Sequence, residues 1–349
     1  MSRVERETPR DPDPDDDVIA VVINFNTAGL TKRCIRSLLD AGIGRILVLD
    51  NASAQADYDR LEAEHANEAR VRVIRSEQNL GFAAGSNLLI EEALRDPACG
   101  RVLLVNSDAI VNESGLAACL ERMRIERHDL MGARMLKPGR PGAEEVDSLG
   151  ITLYKSLLAS NRTSTADTYL GPTGGFAVYK RGFLEHIARL HGYVFDPSYF
   201  CYAEDTDLCV RARLAGFSAG YSDETAAWHE GQASTTGEYS DFILYHGIRN
   251  SIWMVAKSVP GAVVLLHLPW IAALHVGIVL RHVTQGRART LLHLYLDAVK
   301  RLPAVLRARK RVQASRRVSL AEFRSYIDRK FYETRYVKTA ARELFRRPG

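Results

Sequence analysis

Two groups of acidic and amide side chains in this sequence could handle a phosphorylated substrate. The first is Asn106-Ser107-Asp108, which follows the apolar residues VLLV. Asn106 and Asp108 can therefore point the same way from the end of a strand. A carboxylate and an amide oxygen at such a place suit a hard divalent cation that also holds phosphates. The competing interpretation is a simple turn, because Asn, Ser and Asp are common turn residues.

The second group is Glu204-Asp205-x-Asp207, at the start of a predicted helix. One of these carboxylates could act as a general base, because the aromatic residues in 195–202 would surround the acids with apolar surface and raise a carboxylate pKa. The alternative is helix stabilisation. Acids at a helix N-terminus complement the helix dipole, and Asp207 with Arg211 forms an i,i+4 pair.

Two further polar groups follow the second and third predicted strands. Asp50-Asn51 could bind a ribose hydroxyl or a base imide, or could form an Asx-turn that caps the next helix. The segment NLGFAAGSN begins at Asn79 and contains Gly81. Its glycines would let the backbone approach a ligand, and a helix N-terminus there would favour anionic oxygens. The alternative is that this segment only starts a helix.

Common motifs for nucleotide binding and ester hydrolysis are absent from the sequence. It has no G-x-x-x-x-G-K-[ST] loop, no G-x-G-x-x-G after a strand and no G-x-S-x-G turn. Trp228-His229 ends an apparent strand, but no second His follows at the spacing of a zinc protease. A lone His is more often structural than a metal ligand.

The elements that must position these groups alternate regularly through residues 18–106. Predicted strands at 18–24, 46–50, 71–76 and 102–106 are separated by helical spacing at 30–41, 55–69 and 83–95. This alternation predicts a mostly parallel α/β sheet with right-handed crossovers. The carboxyl ends of such strands form the ligand crevice, so the polar groups that follow the strands are expected to meet there.

The rest of the chain is less regular. We expect a helix at 113–126, a mobile loop at 137–150, a Gly-rich turn followed by a strand and a helix in 171–187, and a helix that ends at Gly216. Beyond about residue 240 the periodicity is helical throughout.

Composition divides the chain into three parts: an acidic leader at 1–17, a catalytic domain at 18–240 and a basic helical region at 241–349. The leader is polar, which predicts disorder and excludes a secretory signal. Residues 281–349 hold 19 Lys and Arg against 5 Asp and Glu, which suggests an anionic surface as partner.

The five cysteines include no C-x-x-C pair and are expected to be reduced in the cytosol.

Residues 258–280 contain no Asp, Glu, Lys or Arg. Such a segment is long enough to span a bilayer, but Pro269 and two histidines interrupt it. Three interpretations stay open: a helical hairpin or re-entrant segment at the membrane face, a true span, and a helix buried in a dimer or subdomain core. The basic residues that follow and two Trp residues favour an anionic membrane interface. Nucleic acid is not expected, because the tail contains no recognisable nucleic-acid module.

The order of the motifs resembles that of the family 2 inverting glycosyltransferases with the GT-A fold. The motifs are V-x-x-N-F-N, L-D-N-x-S, N-x-G-F-x-x-G-x-N, N-x-D, G-G-F, F-D-x-x-Y-F-x-Y-x-E-D-x-D-L-x-x-R and W-H. The sequence is most similar to bacterial rhamnosyltransferase-like members that build cell-wall or surface polysaccharide. The match covers residues 18 to about 255 and includes Arg249-Asn250.

The resemblance implies a role for each matching residue. Asp205 would be the catalytic base, and Glu204 would position the acceptor or the donor sugar. Asp108, His229 and Asn106 would bind Mg²⁺ or Mn²⁺. Asn106 replaces the first acid of the family's D-x-D motif and lowers the negative charge of the site. The residues expected to contact the donor are Asn24, Asn26, Asp50, Asn51, Asn79, Gly81, Asn106 and Trp228.

The activity implied by the resemblance is metal-dependent, inverting sugar transfer. The donor would be a nucleoside-diphosphate sugar, with dTDP-rhamnose first and a UDP-hexose as the alternative. The acceptor would be a glycan or a polyprenyl-linked saccharide at the inner face of the plasma membrane, and a homodimer is possible. The rivals are a non-catalytic scaffold and a nucleotidyltransferase, which would need a basic phosphate-binding loop where NFNTAGLT (24–31) has no Lys or Arg.

Overall fold

Strands and helices alternate through the first part of the chain, as the apolar runs predict. The computed structural model describes residues 17–139, 145–229 and 240–345, so most of the acidic leader lies outside the described residues. The first elements are β1 (Val18–Asn24), α1 (Ala28–Asp40), β2 (Arg45–Asn51), α2 (Gln55–His65), β3 (Val71–Ser76), α3 (Gly81–Leu94) and β4 (Arg101–Asn106). The four strands pair in parallel in the order β3-β2-β1-β4. The predicted α/β fold is therefore confirmed.

The sheet continues beyond β4 with strands of both directions. These elements are β5 (Ala109–Val111), α4 (Glu113–Glu126), β6 (Leu130–Leu136), β7 (Val146–Ser148), β8 (Ile151–Leu153), β9 (Ala159–Asn161), β10 (Phe176–Lys180), α5 (Arg181–His191), a 3-10 turn at Pro197–Tyr199, α6 (Glu204–Leu214) and β11 (Ala219–His229). The order after β4 is β10-β6-β11-β5, with β7 also paired to β6. β10 runs antiparallel to β4 and β6, whereas β11 runs parallel to β6.

The mobile loop expected at 137–150 is wrong in part. Residues 146–148 form β7, which pairs antiparallel with the end of β6, and residues 140–144 lie outside the described part of the chain. A strand of three residues is too short for its side-chain alternation to be recognised in a sequence.

Helices cover both faces of the central strands, which explains why those strands are continuously apolar. Ala20 and Val22 of β1 pack into a cluster on the side of α1 and α4. Ile19 and Val21 pack into a second cluster on the side of α3 and α5. In β1, β2 and β4 the polar side chains consequently lie at the strand ends.

The region after β11 is helical, as predicted from about residue 240. It comprises α7 (Asp241–Ser258), α8 (Gly261–Thr284), α9 (Ala288–Lys300), α10 (Leu302–Ala314), α11 (Leu320–Ser325) and α12 (Thr334–Phe345). A third hydrophobic cluster joins α7, α10 and α11 to α6 and the β8–β9 hairpin. The helical region therefore packs directly against the element that carries Glu204 and Asp205.

The apolar segment at 258–280 lies almost entirely in α8, which continues as one helix through Pro269 rather than folding back as a hairpin. One stripe of α8 is buried, at positions such as His267, Leu274 and Ile278, while apolar side chains on other faces are exposed. Among the described residues, α8 is the one helix long and apolar enough to cross a membrane. Most of α8 is not covered by the described part of this chain, so a subdomain core does not bury it, whereas burial in a dimer stays a prediction.

Candidate active site

A cavity of about 680 Å³ opens at the carboxyl edge of the sheet. This is the place where parallel α/β sheets bind ligands, and the volume is in the range of small-molecule sites. Eight of the predicted site residues line it: Asn51, Asn79, Gly81, Asn106, Asp108, Glu204, Asp205 and His229. Asn24, Asn26, Asp50 and Trp228 do not line it.

Asp108 and His229 meet although 120 residues separate them along the chain. Antiparallel pairing of β11 with β5 places His229 opposite Ala109, next to Asp108. Nε2 of His229 lies 3.0 Å from Oδ1 of Asp108 and 3.2 Å from Nδ2 of Asn106. The residues predicted to form the metal site therefore lie together.

Asp147 is a neighbour of His229 that the sequence did not reveal. Its Oδ2 lies 2.9 Å from Nδ1 of His229, on the opposite side of the ring from Asp108. Burial by itself would lower the pKa of His229, but the hydrogen bonds and charges of Asp108 and Asp147 raise it to about 10. A carboxylate on the second ring nitrogen is a common way to orient a metal-binding His, but Nε2 binds a metal ion only after it loses its proton.

The Asp108–His229 pair fits a divalent cation shared with phosphates. Mg²⁺ binds its ligands at about 2.1 Å in an octahedron, so neighbouring ligands lie about 3 Å apart. That is close to the 3.0 Å between Asp108 Oδ1 and His229 Nε2. In the described part of the chain no group of three or more His, Cys, Asp and Glu could hold an ion. Asp108 and His229 would supply two ligands and leave the others to water and substrate phosphates, and Mg²⁺ or Mn²⁺ at this place stays a prediction.

Asp205 is held by backbone N–H groups at the start of α6. Its Oδ2 accepts from Gly174 at 2.9 Å, and its Oδ1 accepts from Thr206 at 2.6 Å. Burial raises the pKa of Asp205, and these N–H groups oppose that rise. Oδ1 also accepts from the hydroxyl of Thr206 at 3.3 Å. Oδ2 has a further lone pair, so Asp205 can still accept a proton from a ligand in the cavity.

Glu204 lies beside Asp205 and is almost fully buried. Its Oε2 has no hydrogen-bond partner among the described residues. Burial, together with the charge of Asp205, raises the pKa of Glu204 well above that of an ordinary carboxyl group. Such an unpaired buried oxygen can bind a substrate hydroxyl.

Asp207, the third acid of the motif, has a structural role. Its Oδ2 lies 2.8 Å from Nε of Arg211 and 3.0 Å from Nζ of Lys257, and its Oδ1 accepts from Ser258 at 2.7 Å. Burial would raise the pKa of Asp207, but Lys257 and Arg211 hold it below its usual value. Asp207 therefore joins α6 to α7 and is not available to a substrate.

Asn51 orders the segment before α3. Its Nδ2 donates to Oδ1 of Asn79 at 3.0 Å, and its Oδ1 accepts from Leu80 at 2.8 Å. Oδ1 of Asn79 also accepts from Gly81 at 2.8 Å. Gly81 has φ +73°, a conformation that favours glycine. These bonds hold a polar segment at the cavity wall.

Asn24 and Asp50 lie below the wall in a buried network. Nδ2 of Asn24 donates to Asp50, Ser53 and Asp57 at 2.9 to 3.1 Å. Oδ2 of Asp50 has no hydrogen-bond partner among the described residues, although Nε of Arg75 lies 3.7 Å away.

Asn26 and Trp228, the other two residues predicted to contact the donor, form contacts within the protein. Oδ1 of Asn26 accepts from the N–H of Ala54 at 2.8 Å. Trp228 lies within β11 and pairs with Ile110 of β5 and Leu136 of β6. Both residues flank the cavity without lining it.

Comparison with known proteins agrees with this geometry. The model of the family described as Glycosyl transferase family 2 matches residues 19–188. Residues 19–188, slightly less than half of the chain, therefore match a family 2 glycosyltransferase domain. A relative in Haloferax volcanii, the low-salt glycan biosynthesis hexosyltransferase Agl10, is 23% identical over 240 residues, which cover 67% of this chain and 74% of that protein.

Solved structures establish the fold of this glycosyltransferase domain. S. aureus TarS 1-349 in complex with UDP-GlcNAc gives a TM-score of 0.54 at 16% identity and covers 86% of this chain and 89% of that chain. GalNAc-T7 with UDP, GalNAc and Mn²⁺ gives a TM-score of 0.52 at 12% identity, and the match covers 74% of this chain and 50% of that chain. The predicted GT-A fold is confirmed, while the rhamnosyltransferase subgroup stays a prediction.

Proposed function

We propose that this glycosyltransferase moves a sugar from a nucleoside-diphosphate donor to a hydroxyl group, with inversion at the anomeric carbon. The observation that carries the proposal is that Asp205 lines the same cavity as the Asp108–His229 pair. A base for the acceptor hydroxyl and a binding site for the departing diphosphate then act on the same bound donor. The complex of TarS with UDP-GlcNAc supports a donor of this class.

The reaction is a single displacement. Asp205 takes the proton of the acceptor hydroxyl, whose oxygen attacks the anomeric carbon while the bond to the diphosphate oxygen breaks on the opposite face. A divalent cation at Asp108 and His229 would stabilise the charge that develops on the leaving diphosphate. Glu204, with its unpaired Oε2, orients a sugar hydroxyl beside the reacting carbon.

The donor extends along the strand ends towards β2. Asn79 and Gly81 contact ribose and pyrophosphate, because they lie where α3 begins and backbone N–H groups favour anionic oxygens. Asp50 is assigned to the base end of the donor, because its Oδ2 is buried and lacks a hydrogen-bond partner among the described residues. It lies behind the cavity wall, so the wall has to open for the base to reach it. Asn24, Asn26 and Trp228 support this pocket from behind. The sequence resemblance places dTDP-rhamnose first, and a UDP-hexose is the alternative.

The acceptor approaches from the helical region. The cavity wall beyond Asp205 includes Leu244 and Ile248 of α7 and Tyr332 of the C-terminal segment. The outer face of α8 exposes Leu265, which is 73% accessible. A large exposed apolar surface in a basic region suits an anionic membrane. We therefore propose a glycan or polyprenyl-linked acceptor presented at the membrane surface.

A ligand panel tests the function directly. Nucleoside diphosphates and sugar nucleotides, each with and without Mn²⁺, are added to the full chain and thermal unfolding is recorded. Binding to the folded state raises the midpoint with the logarithm of ligand excess, so the true nucleotide should rank first and should gain from Mn²⁺. The preferred sugar nucleotide should then be hydrolysed slowly without acceptor. Absence of both stabilisation and hydrolysis across the panel would reject the proposal.

A further inference from the structure

A strained turn leads into the helix that carries Asp205. The N–H of Cys201 donates to the carbonyl of Tyr199 at 2.8 Å, and Phe200 between them has φ 66° and ψ −67°. This is a γ-turn with positive φ, which is rare and strained. Tyr202 and Ala203 follow with φ 69° and 65°. Non-glycine residues keep such conformations only where surrounding contacts enforce them.

The strained turn also contacts the donor side of the cavity. The carbonyl of Phe200 accepts from the N–H of Ala83 in the first turn of α3, at 3.1 Å. The ring of Phe200 packs so closely on Gly81 that a Cβ there would lie 2.5 Å from a ring carbon. Ala203 at the other end is the N-cap of α6. The turn therefore sets the position of Asp205 relative to the segment proposed to hold the donor.

Asn250 of α7 binds three carbonyl groups of this turn. Its Nδ2 lies 2.9 Å from the carbonyl oxygen of Tyr199 and 2.8 Å from those of Cys201 and Tyr202. The side chain is fully buried. An amide nitrogen carries two hydrogens, so one of them is shared between two carbonyls.

Arg249 fixes the orientation of the Asn250 amide. Nε and Nη2 of Arg249 donate to Oδ1 of Asn250 at 3.0 and 2.9 Å. The guanidinium lies 4.6 Å from the ring centroid of Tyr245 and 4.5 Å from that of Trp253. Because Oδ1 is occupied by these donors, the hydrogen-bond network places Nδ2 towards the turn.

We propose that Asn250 is a positioning residue for the transfer reaction. Its amide enforces the strained conformation of residues 199–203 and thereby holds Asp205 in line with the donor. The inference rests on the proposed function, because it assumes that Asp205 is the base. When the amide is removed, the turn relaxes towards ordinary backbone angles, and Asp205 moves while the donor segment keeps its own bonds through Asn51.

The test compares Asn250→Ala with wild type at a temperature where thermal unfolding shows both to be folded. A small misplacement of a reacting group can lower a rate by about 100-fold, so kcat should fall by about 10- to 100-fold. The KM for the donor and the affinity for the nucleoside diphosphate should change little. Asn250→Ser keeps one hydrogen-bond donor, so its kcat should lie between those of wild type and Asn250→Ala. It replaces Asn250→Ala in the test if that variant does not fold.

A second substitution separates positioning from simple loss of packing. Ala203→Gly removes the penalty of positive φ at that position, so in the Asn250→Ala background it should restore part of kcat. Gln313→Ala is the matched control, because Nε2 of Gln313 donates to the carbonyl of Ser258 at the other end of α7, at 2.9 Å. It should lower stability and leave kcat unchanged.

The inference is overturned if folded Asn250→Ala keeps the wild-type kcat. It is equally overturned if donor affinity falls as much as kcat and Ala203→Gly restores nothing. Failure of the proposed function gives a different result, since wild type would then neither transfer nor hydrolyse any sugar nucleotide.

Discussion

The three acids at the start of α6 differ in their surroundings, and this difference decides their roles. Asp207 is paired with Arg211 and Lys257. Asp205 accepts only backbone and hydroxyl donors, and Glu204 keeps one buried oxygen without a partner among the described residues. The sequence shows the i,i+4 pair of Asp207 with Arg211, but not the contacts with Lys257 and Ser258 of α7, which lie 50 and 51 residues further along the chain.

Replacing Glu204 by Gln is expected to stabilise the fold, and by more at higher pH. Burial and Asp205 raise the pKa of Glu204 in the folded state. The folded protein then holds its proton to higher pH than the unfolded chain does, so stability falls as pH rises from about 4.3 through the raised pKa. Gln has no proton to lose, so Glu204→Gln removes this loss of stability with rising pH.

Denaturant unfolding at several pH values measures the effect of Glu204→Gln. Glu121→Gln, on the surface of α4, is the control, since the exposed pair of Glu121 with Arg124 contributes about 0–1 kcal/mol. Parallel pH curves for wild type and Glu204→Gln would show that Glu204 ionises normally in the folded state.

Asp147 is expected to tune the cation site through His229. Loss of an outer carboxylate typically lowers metal affinity by about 10- to 100-fold, so Asp147→Ala should weaken Mn²⁺ binding by that factor. Mn²⁺ titration followed by electron paramagnetic resonance, with nucleoside diphosphate present, measures it. Asp223→Ala, which removes an exposed partner of Arg134, should bind Mn²⁺ as wild type does. Equal affinities for all three proteins would exclude the role of Asp147.

At the scale of elements, long periodic segments could be predicted from the sequence and short strands could not. The runs that became β1, β2 and β4 are buried on both faces, so they are mostly apolar and easily recognised. β5, β7, β8 and β9 have three residues each, too few for a periodic signal. The missed strands matter to the site, since β5 brings His229 to Asp108 and β7 supplies Asp147.

The candidate site was predictable where motifs follow strands and not where distant elements meet. Asp108, Glu204, Asp205 and His229 were found because their local patterns match a known family. Asn250 was noticed only as part of a motif, and its contact with the 199–202 carbonyls depends on how α7 packs against α6. Such packing produces no periodic pattern in the sequence, because the contact depends on the side chain of one buried residue.

Two glycines with positive φ offer a matched test of the contact between α3 and the strained turn. Gly81 and Gly42 have φ +73° and +79°, and a Cβ on Gly42 would meet nothing within 4 Å. Gly42→Ala should therefore cost about 1 kcal/mol, from backbone strain alone. Gly81→Ala should cost about 1–3 kcal/mol more, because its Cβ collides with Phe200.

Denaturant unfolding of the two glycine variants gives these free energies. Gly81→Ala should also lose donor affinity, whereas Gly42→Ala should not. Equal destabilisation of both variants would mean that Phe200 does not pack on Gly81.

At the scale of the whole molecule, the helical region both supports the site and exposes a large apolar surface. α7 contacts α6 through Asp207 and the strained turn through Asn250. In the middle of α8, Nδ1 of His267 lies 2.7 Å from the carbonyl oxygen of Lys155, and the ammonium of Lys155 lies 3.9 Å from the ring centroid of Trp270. Because α8 contacts a charged residue outside the helical region, we expect it to lie on a membrane rather than to cross it.

The intact protein is expected to float with anionic vesicles at low salt and to be released as salt rises, because screening weakens the attraction of its basic residues. The double variant Leu265→Glu/Leu268→Glu, on the exposed face of α8, should lose flotation. Ile125→Glu, at a 65% exposed position on α4, is the matched control and should float normally. Flotation of the α8 variant at the wild-type level would exclude the exposed face of α8 as the membrane-binding surface.

The most direct test of the central claim is the effect of Asp205→Asn on turnover and on donor binding, measured separately. A general base contributes about 10²- to 10⁴-fold, so kcat should fall by at least about 100-fold. Calorimetric affinity for the sugar nucleotide with Mn²⁺ should stay near that of wild type. A folded Asp205→Asn protein that transfers sugar at close to the wild-type rate would contradict the account.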